Sequence, residues 1–296
     1  IGFILLVVGA DFLIKGSSNI AKKFHIPETL IGLTIVALGT SAPELIITIT
    51  SASSSSTDLI IGNAIGSNLC NLLLIIGLMS ILIPIKLDKE IIRIHLPVAL
   101  ISAIVILIMV LGAFISPTAT LNRVDGIILI IMFFIYFSYP IYAEVKDIVS
   151  TYRENKENIK NKKNDNKPKI NIFLSLLYII IGVVLLKYGG DLVVNYAENI
   201  AQEFNLSERV IGLTIIAIGT AMPELVTSIL AVIKKDTDLA VGNLIGSCVL
   251  NILLILGIGA IITPLTFSSK FNQNLILLII STLILFLFNF IGKKHT

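Results

Sequence analysis

Charge is scarce in this sequence. Asp, Glu, Lys and Arg make up 14% of its 296 residues, where a soluble domain carries about 25%. The shortfall excludes a water-soluble enzyme of this size, because too little polar surface remains to cover the core. Cysteine is scarce as well. Cys70 and Cys248 lie inside apolar runs and match no disulfide or metal spacing, so each reads as a small buried apolar residue. Histidine is limited to His25, His95 and His295, near the ends of apolar runs. No two of them are spaced as metal ligands, and none is assigned a role. The net charge of +3 gives no reason to expect a nucleic-acid partner.

What the chain has in abundance is apolar length. Runs near 20 residues recur throughout, each long enough to cross a bilayer as a helix. Nine are read, at roughly 1–21, 30–53, 58–83, 91–115, 122–143, 170–196, 210–233, 238–263 and 273–292. The first lacks a basic start and carries Asp11 and Lys15, so it is expected to remain as a span rather than to be cleaved. The stretch 144–169 holds eight basic and five acidic residues and has a linker's composition, with no acidic calcium-binding loop pattern. It divides the chain into 1–143, with five spans, and 170–296, with four.

The two halves repeat each other. Shifted by 180 positions, residues 1–84 align with 181–264 without a gap, and 38 of the 84 pairs are identical. GLTIVALGTSAPEL from Gly32 falls on GLTIIAIGTAMPEL from Gly212, and DLIIGNAIGSNLCNLLLIIGL from Asp58 falls on DLAVGNLIGSCVLNILLILGI from Asp238. Similarity between random apolar runs would not keep Gly, Thr, Pro, Glu, Asn and Ser in register. With the N-terminus outside, 17 Lys and Arg fall in cytoplasmic connections and 3 in outer ones, which sets the orientation. A repeat of five helices is odd-numbered, so the second copy enters the membrane from the opposite side. The expected fold is therefore an all-α integral membrane protein built from two inverted-topology five-helix repeats. The counterpart of the fifth span would start near position 302, so a tenth helix is expected in the native protein beyond Thr296.

Each repeat carries a proline and a carboxylate at mid-membrane depth. Pro43 cannot donate to the carbonyl of Gly39, nor Pro223 to that of Gly219, so each helix should break there and release carbonyls. Glu44 and Glu224 follow the prolines, with no Lys or Arg at similar depth. A carboxylate at the bilayer centre costs several kcal/mol and marks a functional site by default. Helical i,i+4 spacing pairs Thr40 with Glu44, Thr220 with Glu224, Ser67 with Asn71, and Ser247 with Asn251. Gly62, Gly66, Gly242 and Gly246 provide small-xxx-small faces for close packing against the broken helices. The expected product is a cage of hard oxygen donors, suited to Ca²⁺ or Na⁺ and not to Zn or Cu.

These paired motifs, GTSAPEL/GTAMPEL and GNAIGSNLCN/GNLIGSCVLN, closely resemble the two alpha-repeats of the sodium/calcium exchanger family, of prokaryotic type, within the calcium/cation antiporters. The resemblance covers nearly the whole chain apart from the linker. It implies a ten-helix fold with central ion sites, in which Glu44 and Glu224 are shared ligands. It places Thr40, Ser41, Ser67, Asn71, Thr220, Ser247 and Asn251 at ligand or site-lining positions, with the carbonyls of Ala37 and Ala217 completing sodium sites. It also implies that the first and sixth helices slide as a gating bundle. Two positions depart from the pattern. Ala221 stands where repeat 1 has Ser41, which removes a hydroxyl that Thr227 or water would have to replace. Asn251 stands where microbial relatives often have Asp, which removes a protonatable group.

The function implied is an electrogenic antiporter moving Na⁺ inward and Ca²⁺ outward by alternating access, acting as a monomer in the bilayer. It is not an enzyme and needs no prosthetic group, its bound ions being transported Na⁺ and Ca²⁺. The alternative is a calcium/proton exchanger, whose relatives place an acid shortly after the Gly-Asn pair, where this chain has Gly66, Ser67, Gly246 and Ser247. A passive channel is disfavoured by the broken helices and the inverted repeat, and an intramembrane enzyme by the lack of a nucleophile and base. Among secondary features, Asp11 and Asp191 are read as hydrogen-bond partners of nearby backbone, with ion entry or gating as the alternative, and Lys187 as snorkelling or locally paired. Asp58 and Asp238 are read as helix N-caps, and Ser51 to Ser56 as a helix end and loop.

Overall fold

The computed structural model describes residues 1–24, 26–53, 56–85, 87–116, 118–139, 171–203 and 217–291. The linker 144–169, His25, His295 and the start of the seventh run lie outside the described residues. In chain order the first repeat contains α1 (Gly2–Phe24), α2 (Glu28–Thr40), α3 (Ala42–Ser53), α4 (Thr57–Leu82) and α5 (Ile91–Met109). A short strand β1 (Thr118–Leu121) and helix α6 (123–139) follow. The second repeat contains α7 (Ile172–Glu203), α8 (Ala217–Thr220), α9 (Met222–Ile233), α10 (Thr237–Ile262), β2 (Leu265–Ser268) and α11 (Asn272–Ile291). Among the described residues, six helices are long and apolar enough to cross a membrane, or seven if the bent pair α2–α3 counts as one span. Large side chains such as Phe3, Ile108, Phe134, Phe173 and Phe288 stand exposed around the outside. Such a surface belongs in lipid rather than water, and the chain is a multi-pass membrane protein.

The inversion is visible where α1 meets α7. Gly9 packs on Gly182 and Gly2 on Gly189, each so close that an added Cβ would lie 3.1 Å or less from the partner's carbonyl oxygen. As position falls along one helix it rises along the other, so the two run antiparallel. Gly2 and Gly182 are repeat equivalents, as are Gly9 and Gly189. Equivalent helices of two copies crossing antiparallel at equivalent glycines are what an inverted repeat requires.

The core helix is α10, with 78% of its apolar window buried against 22% in α7. Its glycines explain why. A Cβ on Gly242 would meet the Thr29 carbonyl oxygen at 2.5 Å, and one on Gly246 the Leu33 carbonyl oxygen at 2.6 Å. Gly32 of α2 faces the Leu239 carbonyl in return. The small-residue faces expected at Gly242 and Gly246 are thus in contact with the broken helix α2. The matching contact of α4 would involve residues around 209–216, outside the described residues.

Two local features differ from the sequence reading. The helices α4 and α10 begin one residue earlier than expected, at Thr57 and Thr237, so Asp58 and Asp238 are not N-caps but first-turn acids. Ser56 and Asp236 take the cap positions, and only Asp236 accepts a side-chain cap bond, from the Leu239 amide at 3.1 Å. The first-turn acids still sit at the positive end of the helix dipole. Helix α3 ends at Ser53, where the span 30–53 was expected to end. An antiparallel ribbon also pairs Thr118 with Ser268 and Leu121 with Leu265. Leu121, Leu265 and Phe267 are fully buried beneath it, and the Thr- and Phe-containing segments suit extended backbone.

Candidate cation-binding site

The proline of each repeat sets the site. The chain leaves helical geometry at Ser41 (φ −83°, ψ 8°) and at Ala221 (φ −83°, ψ 2°), two residues before the proline in each case. The first repeat bends there by 45°. The new helices restart when Leu45 donates to the Ser41 carbonyl at 3.1 Å and Leu225 to the Ala221 carbonyl at 3.0 Å. Glu44 and Glu224 therefore lie in the first turns of α3 and α9, where the helix dipole favours a negative charge. The Ala37 carbonyl still accepts the Ser41 amide at 2.9 Å, and the Thr40 hydroxyl lies 3.4 Å from it. It keeps one further lone pair at most for an ion. The Ala217 carbonyl opens α8, at the matching position of the second repeat.

The described structure buries the remaining expected donors. Glu44, Thr40, Ser247 and Asn251 are 0% exposed, and Glu224, Ser41, Ser67, Asn71 and Thr220 are at most 7% exposed. Repeat 1 reaches into repeat 2 through Ser41, whose hydroxyl donates to Glu224 Oε1 at 3.0 Å and is hydrogen-bonded to the Ser247 hydroxyl at 3.1 Å. On the other side, the Ser67 hydroxyl approaches Glu44 Oε1 at 3.5 Å, a long and weak contact. Ala221 has no hydroxyl to return the bond that Ser41 makes. The two carboxylates are thus held unequally, and the departure at Ala221 is the reason.

The other oxygen of each carboxylate, Oε2 of Glu44 and of Glu224, is buried with no hydrogen-bond partner among the described residues. The ion pairs within that set join Asp11 to Lys15 and Lys234, and Lys187 to Asp191, and touch neither glutamate. The Thr227 hydroxyl and the Asn251 Oδ1 are likewise buried without a partner. A cavity of about 210 Å³ lies beside this cluster, reached between Pro43, Pro223 and Thr220 and lined further out by Lys187 and Asp191. Asp191 bonds Lys187 at 2.6 Å on its own helix, the local pairing expected for that lysine. Asp11 bonds lysines rather than backbone, against the sequence reading.

Two residues near the cage were not anticipated. Asn243 accepts from the Thr40 hydroxyl at 3.0 Å and donates to Ser228 at 3.1 Å, and Asn68 bonds to both Asn251 and the Cys248 carbonyl. Asn243 had a detectable signal, since its equivalent Asn63 keeps the Gly-Asn pair in both repeats. Asn68 had none, because its equivalent is Cys248. His95, given no role from sequence, bonds Tyr136 at 2.8 Å and ties α5 to α6.

Known proteins resemble this chain in sequence and in fold. The sodium/calcium exchanger protein family matches residues 1–142 and 174–294. A putative antiporter, CaxA, of Alkalimonas amylolytica is 34% identical over 264 residues, covering 89% of this chain and 79% of that protein. The sodium/calcium exchanger MaX1 of Methanosarcina acetivorans is 30% identical over 312 residues, covering 96% and 88%. A solved structure of the sodium-calcium exchanger NCX_Mj, soaked with Na⁺ and Ca²⁺, superposes with a TM-score of 0.76 at 32% identity, covering 100% of this chain and 88% of that one. The family is one of transporters rather than enzymes, and this chain, with its inverted repeats and paired Pro-Glu breaks, belongs to the sodium/calcium exchanger family.

Proposed function

We propose that this chain is an electrogenic antiporter that carries Na⁺ inward and Ca²⁺ outward by alternating access at the Glu44–Glu224 cage. The observation that carries the proposal is the pair of buried Oε2 atoms without donors among the described residues. An ionised carboxylate in that position costs several kcal/mol unless it is neutralised. One Ca²⁺ or two Na⁺ match the charge of two carboxylates, so the two loads compete for one cage. The ligands are Glu44, Glu224, Thr40, Thr220, Ser41, Ser67, Ser247, Asn71 and Asn251, with the carbonyls of Ala37 and Ala217. The cavity beside Thr220 serves as the passage on one side, and sliding of α1 and α7 past the core exposes the cage to the other. The positive-inside bias supports an outer N-terminus and a cytoplasmic 144–169 linker joining the two halves, with a single chain as the working unit.

Vesicles loaded with Na⁺ and containing the purified protein test this directly. They should accumulate calcium when diluted into sodium-free medium, and an imposed membrane potential should change the rate. Uptake that ignores sodium and follows a pH gradient would instead make the protein a calcium/proton exchanger.

A further inference from the structure

The amide of Asn251 is locked in one orientation by a chain of atoms with no freedom in it. The chain begins at the Cys248 carbonyl, which can only accept. The amide atom of Asn68 facing it, at 2.9 Å, must therefore be the donor Nδ2. That leaves Oδ1 of Asn68 facing Asn251 at 2.9 Å, so the facing atom of Asn251 must be its own Nδ2. Oδ1 of Asn251 is what remains, fully buried and without a partner among the described residues. Asn251 lies one helical turn beyond Ser247 on the same face of α10. Ser247 is bonded to Ser41, which donates to Glu224, so the unpartnered oxygen stands beside the cage.

We propose that Asn68 is a positioning residue for cation binding, holding the Asn251 amide with its oxygen, and not its NH₂ group, toward the ion. The assignment rests on the cation-cage reading given above. Repeat 1 shows what happens without this device. Cys248 stands at the position equivalent to Asn68, and a thiol does not discriminate an amide oxygen from an amide nitrogen as sharply as an amide does. Among the described residues neither amide atom of Asn71, the equivalent of Asn251, meets an oxygen or nitrogen partner. One cage amide is fixed by an oxygen acceptor, and the other has the Cys248 thiol beside it. The break in repeat symmetry at Asn68 therefore separates two roles that the shared Asn71/Asn251 motif would assign equally.

The test is equilibrium binding of radioactive calcium, with sodium competition, to the purified full chain. It needs no transport, so it is independent of whether the protein exchanges ions. Asn68→Ala should weaken calcium binding about three- to ten-fold, the worth of one hydrogen-bonded ligand. Asn251→Asp presents an oxygen whichever way it turns, so in that background Asn68→Ala should change binding by less than about two-fold. Where Asn68→Ala does not fold, Asn68→Leu keeps the buried volume and is read in the same way. Equal losses in the two backgrounds would mean a packing role and overturn the proposal. So would no loss in either, no calcium binding by Asn251→Asp, or no calcium binding by the unaltered protein. Binding that behaves as expected in a protein that fails to exchange would sink the antiporter reading and leave Asn68 in place.

Discussion

Lys234, just past the end of α9, reaches Asp11 in the middle of α1, its Nζ 2.5 Å from a carboxylate oxygen. Lys15 holds the other carboxylate oxygen at 2.6 Å. Among the described residues the repeat-related Asp191 pairs with Lys187 of its own helix, and the position equivalent to Lys234 is Ser54, which carries no charge. An ion pair thus fastens the α1–α7 bundle to the core on one face. Both Lys234 and Asp11 are partly exposed, so such a pair is worth about 0.2–1 kcal/mol. Lys234→Ala is expected to shift the balance between the two access states by up to about five-fold. The reversed pair, Asp11→Lys with Lys234→Asp, should restore it. Labelling of single cysteines placed at each mouth measures the shift, and equal labelling in all three proteins would dismiss the fastening.

Removing one carboxylate should separate function from folding. Glu44→Gln and Glu224→Gln are each expected to reduce exchange to background. Both should raise the melting temperature without added cations, because a buried carboxylate oxygen without a donor is removed. Stabilisation by added calcium should shrink in the same variants. The gain should be larger for Glu44→Gln, since among the described residues Glu44 Oε1 meets Ser67 at a long 3.5 Å while Glu224 is bonded to Ser41 at 3.0 Å. Wild-type exchange by either variant would contradict the site.

Ala221→Ser replaces a buried methyl with a hydroxyl at the second break. It should supply toward Glu44 what Ser41 supplies toward Glu224. One added hydrogen bond or ligand of this kind is worth about 0.5–1.5 kcal/mol, so half-saturation by sodium should tighten roughly two- to ten-fold. Sodium titration of calcium uptake reads this, and an unchanged curve would mean that Thr227 or water already fills the position.

Acid should tighten one end of the molecule. Burial first, then the nearby carboxylates of Glu28 and Asp238, push Asp236 up to about 6 from an ordinary value of 3.8. A carboxyl whose folded value lies above its unfolded value costs stability once it ionises. The cost is absent below about 4 and complete above about 6, so the folded state gains as pH falls from 7 to 4. Asn keeps the cap to the Leu239 amide and cannot ionise. Asp236→Asn should therefore be more stable than the parent at pH 7.5 and no more stable at pH 4. Parallel melting-temperature curves across this range would show that Asp236 does not titrate there.

The legible part of this protein was whatever repeats along one helix. The 180-residue register, the Pro-Glu pairs and the i,i+4 ligand pairs follow from periodicity alone. The location of the breaks, at Ser41 and Ala221, needed only the missing amide of a proline. Helix caps were less readable. Threonine ahead of Asp58 and Asp238 can extend either helix by one residue, and the choice depends on what the first turn packs against.

What sequence by itself determined is a bilayer-spanning inverted repeat with two glutamates at its centre and no Lys or Arg at their depth, because hydrophobic length, helical period and charge placement are local quantities. Tertiary structure alone decided which donors meet. Ser41 with Glu224, Asn68 with Asn251 and Lys234 with Asp11 are 183, 183 and 223 residues apart. Their contacts depend on how closely α1, α2, α7 and α10 approach at their glycines. A shift of one residue at those crossings would turn each side chain to another face, so the pairing is a property of helix packing and not of any single segment.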